Sequence, residues 1–235
     1  MKDILGQALL DYFHGNYTED ILTETNISEE DELPLPYLFR NFEEMPPLEQ
    51  KALKLCKGSV LDVGCGAGSH SLWLQEKGID VTAIDTSKGA VEVSKLRGVK
   101  IVKQVSLLEY TEGKFDTILL LMNGTGIFET IEKVSENLTH LKSLLNANGQ
   151  ILIDSSDLKY MYDSSKEGGI WVPANRYYGE LEFVMRYKGA VSEVFPWLYL
   201  DPQRFELYAK ENGFCFETVY RGNNFDYLGK LTVWV

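Results

Sequence analysis

The segment Val60-Leu-Asp-Val-Gly-Cys-Gly-Ala-Gly-Ser-His70 constrains this chain more than any other. An apolar run meets glycines at three alternate positions, Gly64, Gly66 and Gly68, and then an amphipathic stretch. Only glycine enters left-handed turn conformations freely, so the pattern predicts a strand, a tight turn and a helix. Backbone without side chains at such a turn lets a ligand approach the unpaired amides of the helix N-terminus. A nucleotide-like cofactor fits there. The next strand ends at Asp85, twenty-one residues after Gly64, where a carboxylate can accept hydrogen bonds from both vicinal hydroxyls of a ribose.

A buried strand of this kind belongs in a parallel sheet covered on both faces. The flanking sequence agrees. Strands are predicted over Ser59–Gly64, Asp80–Asp85, Lys100–Val105, Phe115–Met122 and Gly149–Asp154, with helices over Ser69–Lys77, Ser87–Arg97 and Thr130–Asn146 between them. Gly78, Gly98 and Gly149 follow the last turns of those helices, as helix stops do. After residue 155 the strict alternation ends. A hairpin is predicted over Gly179–Tyr187 and Val191–Phe195, turning at Lys188–Gly189. A helix capped by Asp201 with Pro202 in its first turn follows, then a closing hairpin over Phe214–Tyr220 and Tyr227–Val235. The expected fold is α/β, a doubly wound, mostly parallel seven-stranded sheet with a C-terminal antiparallel hairpin. An N-terminal helical segment and an inserted hairpin lid are added to it. The organisation is then a helical and lid segment at residues 1–50, a cofactor-binding core at 51–154, an aromatic-rich acceptor lid at 155–200, and a helix and hairpin at 201–235 that complete the sheet. Residues 160–200 hold ten of the twenty-eight aromatics, which suits either a second packing layer or an aromatic-lined pocket.

Charge narrows the function. Thirty-five acidic against twenty-three basic residues give a net charge of −12, which repels phosphate backbones and anionic lipid. Nucleic acid and membrane partners are therefore not expected. The start, MKDILGQALLDYFHG, carries acids where a signal peptide needs an apolar core, and no run approaches the roughly 20 apolar residues of a membrane span. A cytoplasmic location is expected. Cys56, Cys65 and Cys215 have neither CxxC spacing nor an even count, so neither a disulfide framework nor a zinc site is expected. The oligomeric state is left open.

Details of the turn choose between cofactors. A dinucleotide fingerprint spaces its glycines G-x-G-x-x-G, whereas this loop reads G-x-G-x-G with Asp62 two residues before the first glycine. An acid there sits badly beside a pyrophosphate and well beside an ammonium group, which disfavours a nicotinamide-dependent oxidoreductase. These residues resemble the first motif of the class I S-adenosylmethionine-dependent methyltransferases, (V/L)-(L/V)-D-(V/L)-G-C-G-x-G. Residues Gly66–Leu74 also look like the small-molecule branch of that family. The resemblance implies S-adenosylmethionine as cofactor and S-adenosylhomocysteine as product. It implies that Asp62 and the backbone Gly64–Cys65–Gly66 to Gly68 hold the methionine moiety, Asp85 the ribose, and Thr86 lies beside the adenine. Ser106 and Leu107 fall where relatives commonly carry an acid that meets the adenine amino group, so a hydroxyl and a backbone amide would replace it. Backbone carbonyls near Leu121 and Met122 would accept bonds from the cofactor's ammonium.

A sulfonium is already a strong electrophile, so positioning and water exclusion suffice and no obligatory triad or metal follows. The acceptor belongs outside the carboxyl ends of the strands, over Asn123, Asp154, Ser155, Ser156 and Asp157. A paired-carboxylate metal site there lacks a recognisable third ligand, so no metal is expected. Asn123, Asp154 and Tyr178 are the candidates for handling the acceptor. Arg40 can pair with the methionine carboxylate, with Tyr37, Phe39, Trp171, Tyr177, Trp197 and Tyr199 supplying aromatic faces. His70, in the first turn of the helix, can hydrogen-bond either ligand. The expected activity is methyl transfer to a small-molecule acceptor, and the alternative is a sensor or partner-binding protein that keeps the cofactor pocket without transfer.

Overall fold

A computed structural model describes residues 2–162, 172–174 and 176–234. Helix α1 (Ile4–Phe13) begins at Asp3, whose carboxylate accepts the Gly6 amide at 2.9 Å. Strands β1 (Ile21–Thr25) and β2 (Asp31–Leu33), helix α2 (Leu35–Leu38) and helix α3 (Pro47–Leu55) follow. Next come β3 (Val60–Val63), α4 (Ser69–Glu76), β4 (Val81–Asp85), α5 (Lys88–Arg97), β5 (Val102–Gln104), β6 (Phe115–Leu120), α6 (Val134–Ser143) and β7 (Leu145–Ser156). The chain continues through β8 (Glu180–Tyr187), β9 (Ala190–Val191), β10 (Phe195–Leu198), α7 (Pro202–Glu211), β11 (Phe214–Arg221) and β12 (Asp226–Val233).

The main sheet has seven strands in the order β11-β12-β7-β6-β3-β4-β5. Strands β7, β6, β3, β4 and β5 run parallel, and β12 is antiparallel to both β7 and β11. All four residues of β3 are buried, as a central strand covered on both faces must be. One face packs Leu61, Val63, Ile118, Ile151 and Ile153 beneath α6 and α7, and the other packs Val60, Leu119 and Leu152 beneath α3 and α4. Strand polarity brings the carboxyl ends of β3, β4, β6 and β7 to one rim, which is where ligands bind in open α/β sheets.

The expected N-terminal helical segment also contributes two strands, and the inserted hairpin pairs with them. Strands β1 and β2 join β8 and β10 in a second, antiparallel sheet of order β10-β8-β1-β2, with β9 paired to β8. Leu22 lies opposite Arg186 and Phe183 opposite Phe195. This second sheet thus draws its strands from two segments about 160 residues apart in sequence. Its strands are short, and Ile-Leu-Thr-Glu-Thr carries too little pattern to declare itself a strand without its partner. The predicted strand over 191–195 divides into the two-residue β9 and the returning β10. The helix predicted over Thr130–Asn146 divides too, into a 3-10 turn, α6, and residues that enter β7. Trp171 lies outside the described residues.

Helix α1 docks through glycines. A Cβ on Gly89 of α5 would lie 2.5 Å from the Gly6 backbone, and the Gly89 amide donates to Asp3 Oδ2 at 2.9 Å. Among the described residues no helix is long and apolar enough to cross a membrane.

Candidate functional site

The glycine loop turns through positive φ at Gly64, Gly66 and Gly68, at 75°, 54° and 81°. A side chain on Gly68 would meet Val99 and Ser94 at 2.8 and 2.9 Å, whereas one on Gly66 would meet nothing within 4 Å among the described residues. Gly68 serves close packing, and Gly66 leaves open space above bare backbone. Asp85, at the end of β4, accepts the Gly66 amide at 2.9 Å and the Ser87 amide at 2.8 Å. It fixes the loop while keeping further lone pairs available. Asp62 is 1% exposed and accepts the Ser71 hydroxyl at 2.6 Å. Burial raises both carboxyls above the usual range, because desolvation penalises the charged form. Cys65 is buried, its thiol pushed up by burial.

Thr86 is exposed beside Asp85, and its carbonyl accepts Gln104 Nε2 at 3.2 Å. Ser106 donates to Glu109 Oε2 at 2.6 Å, above buried Leu107. An acid, Glu109, thus stands one side chain away from Ser106, three residues later in the chain.

At the tip of β6, after buried Leu121, Met122 and Asn123 both adopt left-handed conformations, φ 66° and 61°. Successive non-glycine residues there cost on the order of 1–2 kcal/mol each. Asp154 on β7 offsets this by accepting the Asn123 amide at 3.0 Å and the Gly124 amide at 2.8 Å. Burial raises Asp154 to about 6, against the pull of those two donors. The Asn123 side chain donates to the Leu198 carbonyl at 3.2 Å and accepts the Ser155 hydroxyl at 3.1 Å. Asn123 and Asp154 are thus brought together. Tyr178 belongs to another group: its hydroxyl donates to Asp157 at 2.9 Å, next to the Tyr177–Asp201 bond of 2.7 Å. No hydrogen bond joins it to Asn123 or Asp154 among the described residues.

The second sheet presents an aromatic face. Phe183 of β8 stacks on Phe195 of β10, with centroids 5.9 Å apart, and lies edge-on to Trp197 at 6.4 Å. Trp197 covers Gly126, where a Cβ would meet its ring at 2.0 Å. Tyr199 is half-buried, and burial together with Tyr160 and Asp154 pushes its hydroxyl up to about 12.

Arg40 follows two residues that are tied to the glycine loop and the start of α4. The Ser69 hydroxyl donates to the Leu38 carbonyl at 2.9 Å. Arg97 donates to Ala67 O at 2.6 Å and to Phe39 O at 3.2 Å. The Arg40 guanidinium pairs with Glu49, donates to Tyr37 O, and rests 3.8 Å over the Tyr37 ring. Glu49 also receives His70 Nε2 at 2.7 Å. Burial would raise Glu49, but His70 and Arg40 hold it below the usual carboxylate range. Glu49 was not among the expected site residues. Its signal was a charge on the Glu49, Ala52, Leu53 face that α3 turns inward.

A family model described as a methyltransferase domain matches residues 35–214. A solved S-adenosylmethionine-dependent methyltransferase from Bacteroides fragilis, in complex with S-adenosyl-L-homocysteine, is 43% identical and superposes with a TM-score of 0.92 over 100% of this chain and 96% of that one. The putative methyltransferase YqeM of Bacillus subtilis is 30% identical over 105 residues, 42% of each chain. The ubiquinone biosynthesis O-methyltransferase of Dechloromonas aromatica is 30% identical over 129 residues, 50% of this chain and 54% of that one. The chain spans about half the length of the curated relatives it matches.

Proposed function

The chain belongs to the S-adenosylmethionine-dependent methyltransferases of the Rossmann-like class, and from that premise we propose that it transfers a methyl group from S-adenosylmethionine to a small-molecule acceptor. The glycine cradle carries this assignment, with open space at Gly66 and buried carboxylates at the ends of two adjacent strands. The residues present fit such a ligand: bare backbone, two acceptors for hydroxyl and ammonium groups, and at Arg40 a buried guanidinium Nε–H without a partner among the described residues. When bound, S-adenosylmethionine supplies a methyl group on a positively charged sulfur.

The chain's own residues divide the work. Asp85 accepts the ribose hydroxyls, with Thr86, Ser106 and Leu107 beside the base. Asp62 and the backbone of Gly64, Cys65, Gly66 and Gly68 hold the methionine portion. Carbonyls at Leu121 and Met122 face its ammonium, and Arg40 its carboxylate. Asn123 and Asp154 stand at the acceptor side, where Asp154, titrating at about 6, is largely ionised at neutral pH and can take or orient a proton. Phe183, Phe195, Trp197 and Tyr199 offer flat apolar contact for the acceptor and exclude water from the transfer. A net charge of −12 suits an uncharged or cationic acceptor over a polyanion. The word O-methyltransferase in a relative's name makes hydroxyl compounds the first acceptors to try.

The test is isothermal titration of the dialysed protein with S-adenosylhomocysteine, after checking a denatured sample for ligand carried through purification. Saturable one-to-one binding is expected. Absence of binding by ligand-free protein overturns the proposal.

A further inference from the structure

The Arg40–Glu49–His70 cluster is built more tightly than a surface ion network. The three side chains come from different segments: the stretch after α2, helix α3, and the first turn of α4. Arg40 and Glu49 are 3% and 5% exposed at their side chains, and His70 is 10% exposed. A buried guanidinium ordinarily spends all its donors, since an unpaired buried polar group carries its full desolvation cost. Arg40 directs two nitrogens at Glu49 and Tyr37 O, yet its buried Nε–H has no partner among the described residues. The Tyr37 ring covers one face of the guanidinium. Glu49 Oε2, the oxygen that takes Arg40, also meets His70 Nε2 at 2.7 Å, and Oε1 accepts the Tyr37 hydroxyl at 3.4 Å.

We propose that Glu49 and His70 are positioning residues that aim the free Nε–H of Arg40 at the carboxylate of the cofactor's methionine end. The inference rests on the methyltransferase reading above. A guanidinium is a planar fork, so fixing Nη2 on Glu49 and Nη1 on Tyr37 O determines where Nε points. His70 determines where Glu49 stands. Because His70 follows Ser69, whose hydroxyl is tied to Leu38 O, the first turn of α4, directly after the glycine loop, also sets the carboxylate partner. Glu49 never touches the ligand, and its effect passes through Arg40.

The experiment compares two probes by isothermal titration, S-adenosylhomocysteine and 5′-methylthioadenosine, which lacks the amino-acid end. The ratio of their dissociation constants isolates contacts to that end from the general fitness of the fold. Glu49→Ala is expected to lower the preference for S-adenosylhomocysteine about tenfold, the worth of one charge-assisted hydrogen bond, with methylthioadenosine affinity unchanged within about twofold. Glu49→Gln, which still bridges Arg40 and His70, is expected to keep the preference within about threefold. Should Glu49→Ala fail to fold, His70→Ala reads the same ratio through the outer member and is expected to lower it about threefold. Equal weakening of both probes, or an unchanged ratio in the alanine variants, overturns the proposal and makes the cluster purely structural. A wild-type protein that binds both probes equally overturns it as well, while one that binds neither overturns the methyltransferase reading itself.

Discussion

At the scale of single residues, the site rests on carboxylates that serve the backbone first. Asp85 holds the amides of Gly66 and Ser87 and, on the proposed function, the ribose as well. Asp85→Ala is expected to weaken S-adenosylhomocysteine binding about ten- to a hundredfold, the loss of one or two charge-assisted hydrogen bonds. Titration of the two proteins side by side checks it, and equal affinities would remove the ribose assignment. Asp154 makes a pH prediction. Its folded-state value of about 6 exceeds the usual 3.8, so between those values the folded chain keeps a proton that the unfolded chain has lost. Stability therefore falls as pH rises through that window, and the penalty is complete above it. Since Asp154 is partly exposed, the expected size is about 1–2 kcal/mol. Urea unfolding at about pH 4 and about pH 7 should show the wild type losing that much more than Asp154→Asn over the interval; parallel losses would refute it. Asp62 and Asp85 were legible from sequence because motif spacing puts them at strand ends. Glu49 and Glu109 were not, since a carboxylate that bonds Arg40 from a neighbouring helix, or Ser106 from three residues further on, leaves no mark in the motif.

At the scale of elements, the tip of β6 is where the two sheets meet. Gly124–Phe128 forms a 3-10 turn packed under Trp197, and the Thr125 hydroxyl bonds Ser155 at 2.7 Å and the Leu198 carbonyl at 3.0 Å. Strand β10 is thereby fastened to the rim of the main sheet. A methyl group at Gly126 has no room beside the indole, so Gly126→Ala is expected to displace Trp197 and cost about 1–3 kcal/mol, as overpacking does. A red shift of tryptophan emission together with a lowered unfolding midpoint would record it, and an unchanged spectrum would mean that the turn yields instead. The helices and strands of the core were legible because each carries its own period and its own stop. Boundaries moved where two elements share residues, as at Leu144 and Leu145, both buried, where α6 passes into β7.

At the scale of the whole molecule, the N-terminal residues are part of the fold although the matched family region begins at residue 35. Ile4, Ala8, Leu9 and Ile21 are buried together with Leu35, Ala90, Val93 and Tyr187, and β1 pairs with β8 on one side and β2 on the other. A chain beginning at residue 35 would lose several buried side chains worth about 1.5–3 kcal/mol each, of the order of a domain's whole stability. It is expected to bind hydrophobic dye and to unfold well below the full chain on heating, and a truncated protein with an unchanged midpoint would contradict this. By itself the sequence determined the parallel core, the ligand-binding rim and the kind of ligand. Those follow from local period, glycine placement and charge, which act over a few neighbouring residues. Only the tertiary structure decided that the two outer segments pair into one sheet, that Asp154 supports a strained strand tip, and that Arg40 and His70 meet on Glu49. Each of these depends on contacts between residues far apart in the chain, where hydrogen-bond partners are chosen by packing rather than by spacing.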